Sequence, residues 1–279
     1  MRRVDIVRTI LAAVTAAATA CAPPSLSRVA APATLTVATY NIRSGNGNLA
    51  RTAETIRAFN ADIVALQEVD AHWSDRSGYA DQPAELAAML GMTVRFAPIY
   101  TFATADSSKP PRQFGVALLS RYPILSFHND TISRLSTQVQ NPVAEPMPGL
   151  LEATIEVRGH SVRIFNTHLD YRSDPRVRER QVQEMLYCVG DASTPTIVFG
   201  DLNATPDAPE LRQLMERLHD AWPEAKGAGW TYPAESPVKR IDYVLTSAHF
   251  GVVRAAVAAT DASDHRPVVV QLSTSFTAR

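Results

Sequence analysis

Two polar residues stand two apart in Gly200-Asp201-Leu202-Asn203, directly after the apolar, β-branched run Pro195-Thr196-Ile197-Val198-Phe199. A carboxylate there can orient or deprotonate a water, and a carboxamide can both donate to and accept from one substrate. Taken alone, Asp-x-Asn suits a turn or a helix N-cap equally well. The functional reading gains from repetition. Asn41, Glu68, His168, Asp242 and the Asp264-His265 pair also fall at or just after apolar runs, where alternation does not require a polar side chain. The set contains carboxylates, amides and two imidazoles, but neither an HExxH pattern nor clustered cysteines, so it is poor for zinc. It suits a hard cation such as Mg2+, with Mn2+ as the alternative. Magnesium takes oxygen ligands, keeps several waters and needs only one or two carboxylates plus a substrate phosphate. Glu68 is the first choice of ligand, with Asn41 and Asp264 in or near its shell.

The elements that must position these groups read mainly as strands. Leu35 to Ile42 alternates and ends on Asn41, and Asp62 to Glu68 has an apolar interior that delivers Glu68 at its C-terminal end. Between them, Asn48 caps a helix over Leu49–Phe59 that Asn60 closes; a second helix runs from Asp81 to Leu90, with Gly91 as its stop. Phe114 to Ser120 is a buried strand, and residues 124–148 read as an irregular excursion. Leu150–Val157 and Val162–Thr167 form a hairpin that presents His168, Leu169 and Asp170 at its end. Ser173 and Pro175 open a helix to Val189, and Asp207-Ala208-Pro209-Glu210 reads as a capping box opening another. Strands over 240–245, 252–259 and 267–272 close the chain. No linker divides residues 35–275, so they read as one α+β domain of mainly antiparallel strands. No Walker A or dinucleotide-binding glycine pattern is present.

Seven segments, in order, now carry a resemblance. They are Thr39-Tyr40-Asn41-Ile42-Arg43, Leu66-Gln67-Glu68-Val69, Ala117-Leu118-Leu119-Ser120-Arg121-Tyr122-Pro123, Asn166-Thr167-His168-Leu169-Asp170, Gly200-Asp201-Leu202-Asn203, Arg240-Ile241-Asp242-Tyr243-Val244 and Ser263-Asp264-His265-Arg266-Pro267-Val268. The chain resembles the endonuclease/exonuclease/phosphatase superfamily over about residues 35–272, on the side of deoxyribonuclease I and the neutral sphingomyelinases. The resemblance implies a four-layer αββα sandwich, a divalent cation and hydrolysis of a phosphate ester by an activated water. By position, it implies Glu68 as metal ligand with Asn41 and Asp264 assisting, Asp201 on the water and Asn203 on the phosphate. His265, polarised by Asp242, and His168 would flank the scissile group; which of them is the acid stays open. Arg43, Asp170 and Arg172 complete the set as substrate-binding residues. Val116 departs from the asparagine that many of the family's nucleases carry there. Arg176, Arg178, Arg180 and Gln181, after Asp170-Tyr171-Arg172, resemble a group of metal-dependent hydrolases; the alternative is a solvated helix face.

Composition bounds the partners. Twenty-seven basic against twenty-eight acidic residues leave a net charge of −1, so no global basic field announces nucleic acid, although a local basic groove remains compatible with it. Arg2, Arg3 and Arg8, the run Ile10–Val14 and small residues up to Ala20 read as an export signal over residues 1–21. Thr19-Ala20-Cys21 is similar to a lipoprotein processing site, which would leave residues 22–34 as a tether and a lipid as the sole membrane contact. The expected location is periplasmic, cell-surface or secreted. A Cys21–Cys188 disulfide would join tether to body and is not expected; Cys188 reads as a small buried hydrophobe. The function expected is an exported, metal-dependent phosphoesterase, first a phosphodiesterase, acting as a monomer on a phosphodiester or phosphomonoester. A DNA endonuclease of the deoxyribonuclease I type and a non-catalytic binding module are the alternatives.

Overall fold

Period-two alternation assigns each strand one face toward a second sheet and one toward helices. In the computed structural model, which describes residues 34–274, that alternation is satisfied on both faces. The elements run β1 (Thr34–Asn41), α1 (Leu49–Phe59), β2 (Ile63–Ala71), α2 (Gln82–Leu90), β3 (Thr93–Phe102), β4 (Arg112–Ser120), β5 (Ile124–Arg134) and β6 (Glu145–Val157). They continue with β7 (His160–His168), α3 (Arg176–Val189), β8 (Thr196–Asp201), α4 (Arg212–Arg217), β9 (His219–Asp220), β10 (Asp242–Thr246), β11 (Phe250–Val257) and β12 (Val268–Thr274). Two six-stranded sheets result, ordered β11-β12-β1-β2-β4-β3 and β5-β6-β7-β8-β10-β9. Among the described strands only β1–β2 and β7–β8 pair in parallel.

Leu35, Val37, Ile63 and Ala65 of the first sheet pack against Val162, Ile164, Ile197, Phe199 and Val244 of the second. On the outer faces, Ala53, Ile56 and Leu86 of α1 and α2 cover Tyr40, Val64 and Leu66, while Val182, Met185 and Leu214 of α3 and α4 cover Phe165, Val198 and Leu245. This is the four-layer αββα sandwich expected from the sequence. Burying both faces of each sheet is what makes most strands read as continuous apolar runs. Among the described residues no helix is long and apolar enough to cross a membrane.

Several local expectations hold. Asn48 accepts a hydrogen bond from the Arg51 amide and caps α1, which Asn60 closes in the left-handed conformation; Asp81 caps α2 in the same way as Asn48, with Gly91 behind it. Others are corrected. Residues 124–148 are not an irregular excursion, because β5 and the start of β6 occupy 124–134 and 145–148 as paired strands. Four of the eleven residues of β5 are exposed, and its polar residues mask the alternation. The strand β3, edge of its sheet, went unread for the same reason. The capping box at 207–210 does not form: Ala208, with no side-chain cap, precedes a short 3-10 turn, and Glu210 is drawn into an ion pair instead. Cys188 is half-buried against the outer cluster of α3. Residues 1–33, with the export signal, the tether and Cys21, lie outside the described residues.

Candidate active site

β1, β7 and β8 end, and β10 begins, on a candidate residue at the same rim of the sandwich. The inward-facing positions along β1 are Leu35 and Val37, and the next two inward places bring Thr39 and Asn41. On β8 the series Ile197, Phe199 continues to Asp201; β10 runs antiparallel to it, so its first residue, Asp242, stands opposite Asp201 in register. On β7, parallel to β8, His168 is level with Asp201. Polar residues at inward places near the rim thus leave the dry core for one shared opening.

Glu68 reaches that opening differently. It lies inside β2 rather than at its end, which corrects the reading of a strand that stops there. Val64 and Leu66 face the helices, so strict alternation would send Glu68 outward too. A bulge intervenes: β2 pairs with β4 at Leu66–Ala117 and next at Val69–Gly115, and Glu68 takes a φ of 53°. Val69 then occupies the outward place, and Glu68 turns to the cavity.

Asp201 is the hub. Asn41 donates through Nδ2 to Asp201 Oδ2 at 3.0 Å and to Glu68 Oε1 at 2.9 Å, linking the two sheets. The Nε2 atoms of His168 and His265 each lie 3.6 Å from Asp201 Oδ2, ion-pair rather than hydrogen-bond distance. The Asn203 amide closes a tight turn onto Asp201 Oδ1 at 3.0 Å, while its side-chain nitrogen donates to the Leu169 carbonyl. His265 Nδ1 donates to Asp242 Oδ2 at 2.9 Å, which leaves Nε2 facing Asp201. Ser263 positions this loop, donating to the Asn41 carbonyl at 2.7 Å.

Electrostatics follow from burial. Asp201 and Asp242 are each 1% exposed and His265 5%. Burial raises the Asp201 carboxyl above its usual range, and the charge of Asp242 adds to that, against the lowering effects of His265, His168 and Asn41. For His265, burial disfavours the imidazolium, but Asp242 and Asp201 outweigh it and push the imidazole up to about 10. The second oxygen of Asp242 has no hydrogen-bond partner among the described residues, so the hydrogen bond to His265 is the one contact through which its carboxylate is held there. His265 is therefore a buried cation at neutral pH, suited to stabilise anionic charge or donate a proton.

These groups open into a cavity of about 590 Å³ lined by Glu68, His168, Asp201, Asn203, Asp264 and His265, with Tyr171, Tyr232 and Lys239 on its walls. Glu68 and Asp264 supply an all-oxygen, partly exposed donor set there, as a hard divalent cation requires. Asp201, Asp242 and His265 also bring ligand atoms within 4.8 Å of one another, but the His265–Asp242 hydrogen bond already occupies two of them. The residues present therefore fit a cation on the Glu68 side of the site.

The substrate-binding candidates separate. Arg43 is exposed, its Nε 3.6 Å from Asp264 Oδ2 at the edge of the site. Asp170 lines a smaller adjoining cavity, whereas Arg172 is held in an ion pair with Asp170 and over the Tyr171 ring, 5.1 Å from its centroid. Arg178 is not on a solvated face: it is buried, pairs with Glu210 at 2.9 Å and donates to the carbonyls of Asp170 and Arg172. Arg176 and Arg180 are exposed and paired locally with Asp174 and Glu184. Val116 is wholly buried between the sheets. Sequence reasoning missed Tyr232, whose ring centroid is 4.8 Å from that of His265, and Lys239 beside it. Both sit on a loop without periodicity, so no local signal marks them.

Carboxylates, amides and imidazoles from both sheets thus gather at one rim of a two-sheet sandwich. Residues 38–265 match the Endonuclease/Exonuclease/phosphatase family, and the chain belongs to it. Members of this family are phosphoester hydrolases that generally use divalent metals. Among solved structures, the endonuclease/exonuclease/phosphatase from Beutenbergia cavernae is similar at 27% identity and a TM-score of 0.69, over 86% of this chain and 72% of that one. The human Nocturnin catalytic domain, solved with a bound sulfate anion, is 21% identical with a TM-score of 0.64, over 88% and 94% of the two chains. The mannosyl-6-phosphatase of Bacteroides thetaiotaomicron is 20% identical with a TM-score of 0.60, over 85% and 99%. No curated protein sequence matches the chain.

Proposed function

We propose that the protein is an exported, divalent-metal-dependent phosphoesterase, first a phosphodiesterase, that cleaves its substrate with an activated water. The observation that carries this reading is the convergence on Asp201, where two imidazole nitrogens lie 3.6 Å from one carboxylate oxygen that Asn41 ties to Glu68. Asp201 orients the water and takes its proton, and its raised carboxyl supports that role. His265, kept charged by Asp242, faces the phosphoryl group and stabilises the charge that grows on it. His168 stands on the other side of Asp201, on the flank that leads to Tyr171. Asn203 offers the phosphate its side-chain amide from the turn after β8. Mg2+, or Mn2+ in its place, would be held by Glu68 and Asp264 and would supply Lewis-acid polarisation of a phosphoryl oxygen. Asn41, expected from the sequence as a further ligand, instead donates to Glu68 Oε1 while its own oxygen accepts from the Arg43 amide, so it orients the carboxylate.

The cavity accommodates a compact substrate. Its basic lining residues, Lys239 and the Arg178 that pairs with Glu210, together with its two tyrosines do not amount to a basic track for a nucleic-acid strand. A small phosphodiester or a phosphorylated sugar therefore ranks above DNA. The test is hydrolysis by the purified mature chain, residues 22–279, with Mg2+, Mn2+ or a chelator. Bis-p-nitrophenyl phosphate, p-nitrophenyl phosphate, a hexose 6-phosphate, supercoiled DNA and sphingomyelin would be offered in parallel. Metal-dependent turnover, abolished by the chelator, is expected with at least one small ester. Absence of turnover with every metal and substrate would reject the enzymatic reading.

A further inference from the structure

We propose that Asn166 is a positioning residue for Glu68, acting from the opposite sheet; the consequence for catalysis rests on the functional reading above. The problem it solves is created by the bulge. Turning Glu68 toward the cavity costs β2 a break in its ladder with β4 between Leu66 and Val69. It also puts Glu68 in a left-handed backbone conformation that a side chain rarely adopts. Such a geometry persists only where its surroundings over-determine it.

Asn166 supplies that determination. It lies on an inward place of β7, where its neighbours two residues back, Ile164 and Val162, are apolar core. Its Nδ2 donates to the Leu66 carbonyl at 3.0 Å and to the Ala117 carbonyl at 2.9 Å, the pair of residues at which the register breaks. Its Oδ1 accepts from Gln67 Nε2 at 2.7 Å, and that nitrogen also donates to Thr39 Oγ1 at 3.0 Å. Asn166, Gln67 and Thr39 have no solvent exposure at all. Carbonyls only accept, so one orientation of the Asn166 amide satisfies all three contacts. A buried amide is costly unless fully bonded, and a fully bonded one specifies a single geometry.

The network therefore grips Leu66 and Gln67, the two residues before Glu68, and fixes the direction in which Glu68 leaves the strand. It does so from the strand that bears His168 two residues further on, so the two walls of the site are registered to each other by one side chain. An apolar residue of the same size would fill the space but leave the bulge unheld.

The test compares the purified full chain with Asn166→Leu, Glu68→Gln and the double variant. Mn2+ binding is measured by calorimetry, and the exchange of backbone amides by mass spectrometry over residues 63–71. Asn166→Leu is expected to weaken Mn2+ binding by about ten- to a hundred-fold, the range typical of groups that orient a metal ligand. Glu68→Gln is expected to weaken it too, and the double variant to bind no more weakly than Glu68→Gln alone, because Asn166 acts only through Glu68. Thr39→Val, which removes a contact to Gln67 but leaves both bulge carbonyls bonded to Asn166, is expected to weaken Mn2+ binding less than Asn166→Leu does. Fully additive losses, or wild-type Mn2+ binding in Asn166→Leu, would overturn the proposal. If Glu68→Gln itself binds Mn2+ like wild type, the metal assignment falls and exchange decides: faster exchange confined to 63–71 supports the proposal, and unchanged protection overturns it. Should Asn166→Leu fail to fold, Asn166→Ser, whose hydroxyl can serve only one carbonyl, takes the same measurements.

Discussion

His265 Nδ1 lies 2.9 Å from Asp242 Oδ2, with both side chains buried, and this pair fixes the charge state of the site. Burial alone would lower the imidazole, yet the Asp242 and Asp201 charges raise it from 6.5 to about 10. The sign is then set. The proton stays on His265 through neutral pH and is lost only as pH rises toward 10. In metal-free protein, NMR titration of the His265 ring is expected to give a midpoint well above 8, and Asp242→Asn to move it down. A wild-type midpoint near 6.5 would show that the pair does not hold the proton.

Replacing either partner of this pair should also be visible in turnover. His265→Ala is expected to lower kcat by about 10²- to 10⁴-fold, the span typical of a positioned acid–base group. Asp242→Asn keeps the shape but removes the countercharge, and kcat is expected to fall by at least about ten-fold. Circular dichroism and thermal melts would verify the fold of both variants. Turnover within two-fold of wild type in His265→Ala would remove it from the mechanism.

Arg178 and Glu210 form a buried ion pair that fastens the segment after His168, since Arg178 also donates to the carbonyls of Asp170 and Arg172. Removing one charge strands the other in the interior. Glu210→Gln is accordingly expected to cost about 3–5 kcal/mol in urea unfolding. Loss below about 1 kcal/mol would indicate that water reaches the pair.

Gly200 precedes Asp201 and pairs with Thr167 of β7. A Cβ there would meet the Thr167 carbonyl oxygen at 2.6 Å, and backbone cannot swing aside as a long side chain can. Gly200→Ala must push apart the strands that carry Asp201 and His168. A loss of about 1–3 kcal/mol in stability is expected from the overpacking, together with reduced kcat. Unchanged values of both would mean the strands are free to separate.

Much of this protein is legible in its sequence because its chemistry sits where local pattern and function conflict. Asn41, His168, Asp201 and Asp242 each interrupt an apolar strand at its rim, and a polar residue that alternation does not require is a signal that needs no tertiary knowledge. Caps such as Asn48 and Asp81 were readable for the same reason, since they act within three residues of themselves. Solvent-facing strands were not. β5 and β3 lie at sheet edges, where polar residues are tolerated and the alternation fades.

What only the tertiary structure decides is direction and pairing. The sequence names Glu68 as the end of its strand; the strand runs on, and the bulge opposite Val116, held from another sheet by Asn166, is what turns Glu68 to the cavity. Arg178 reads as one of a solvated row until Glu210, thirty-two residues away, buries it. Tyr232 and Lys239 have no pattern at all and join the site through a loop that folds over His265. Residue type and local period are properties of the chain, whereas which polar groups meet in a low-dielectric interior depends on contacts between residues far apart in sequence.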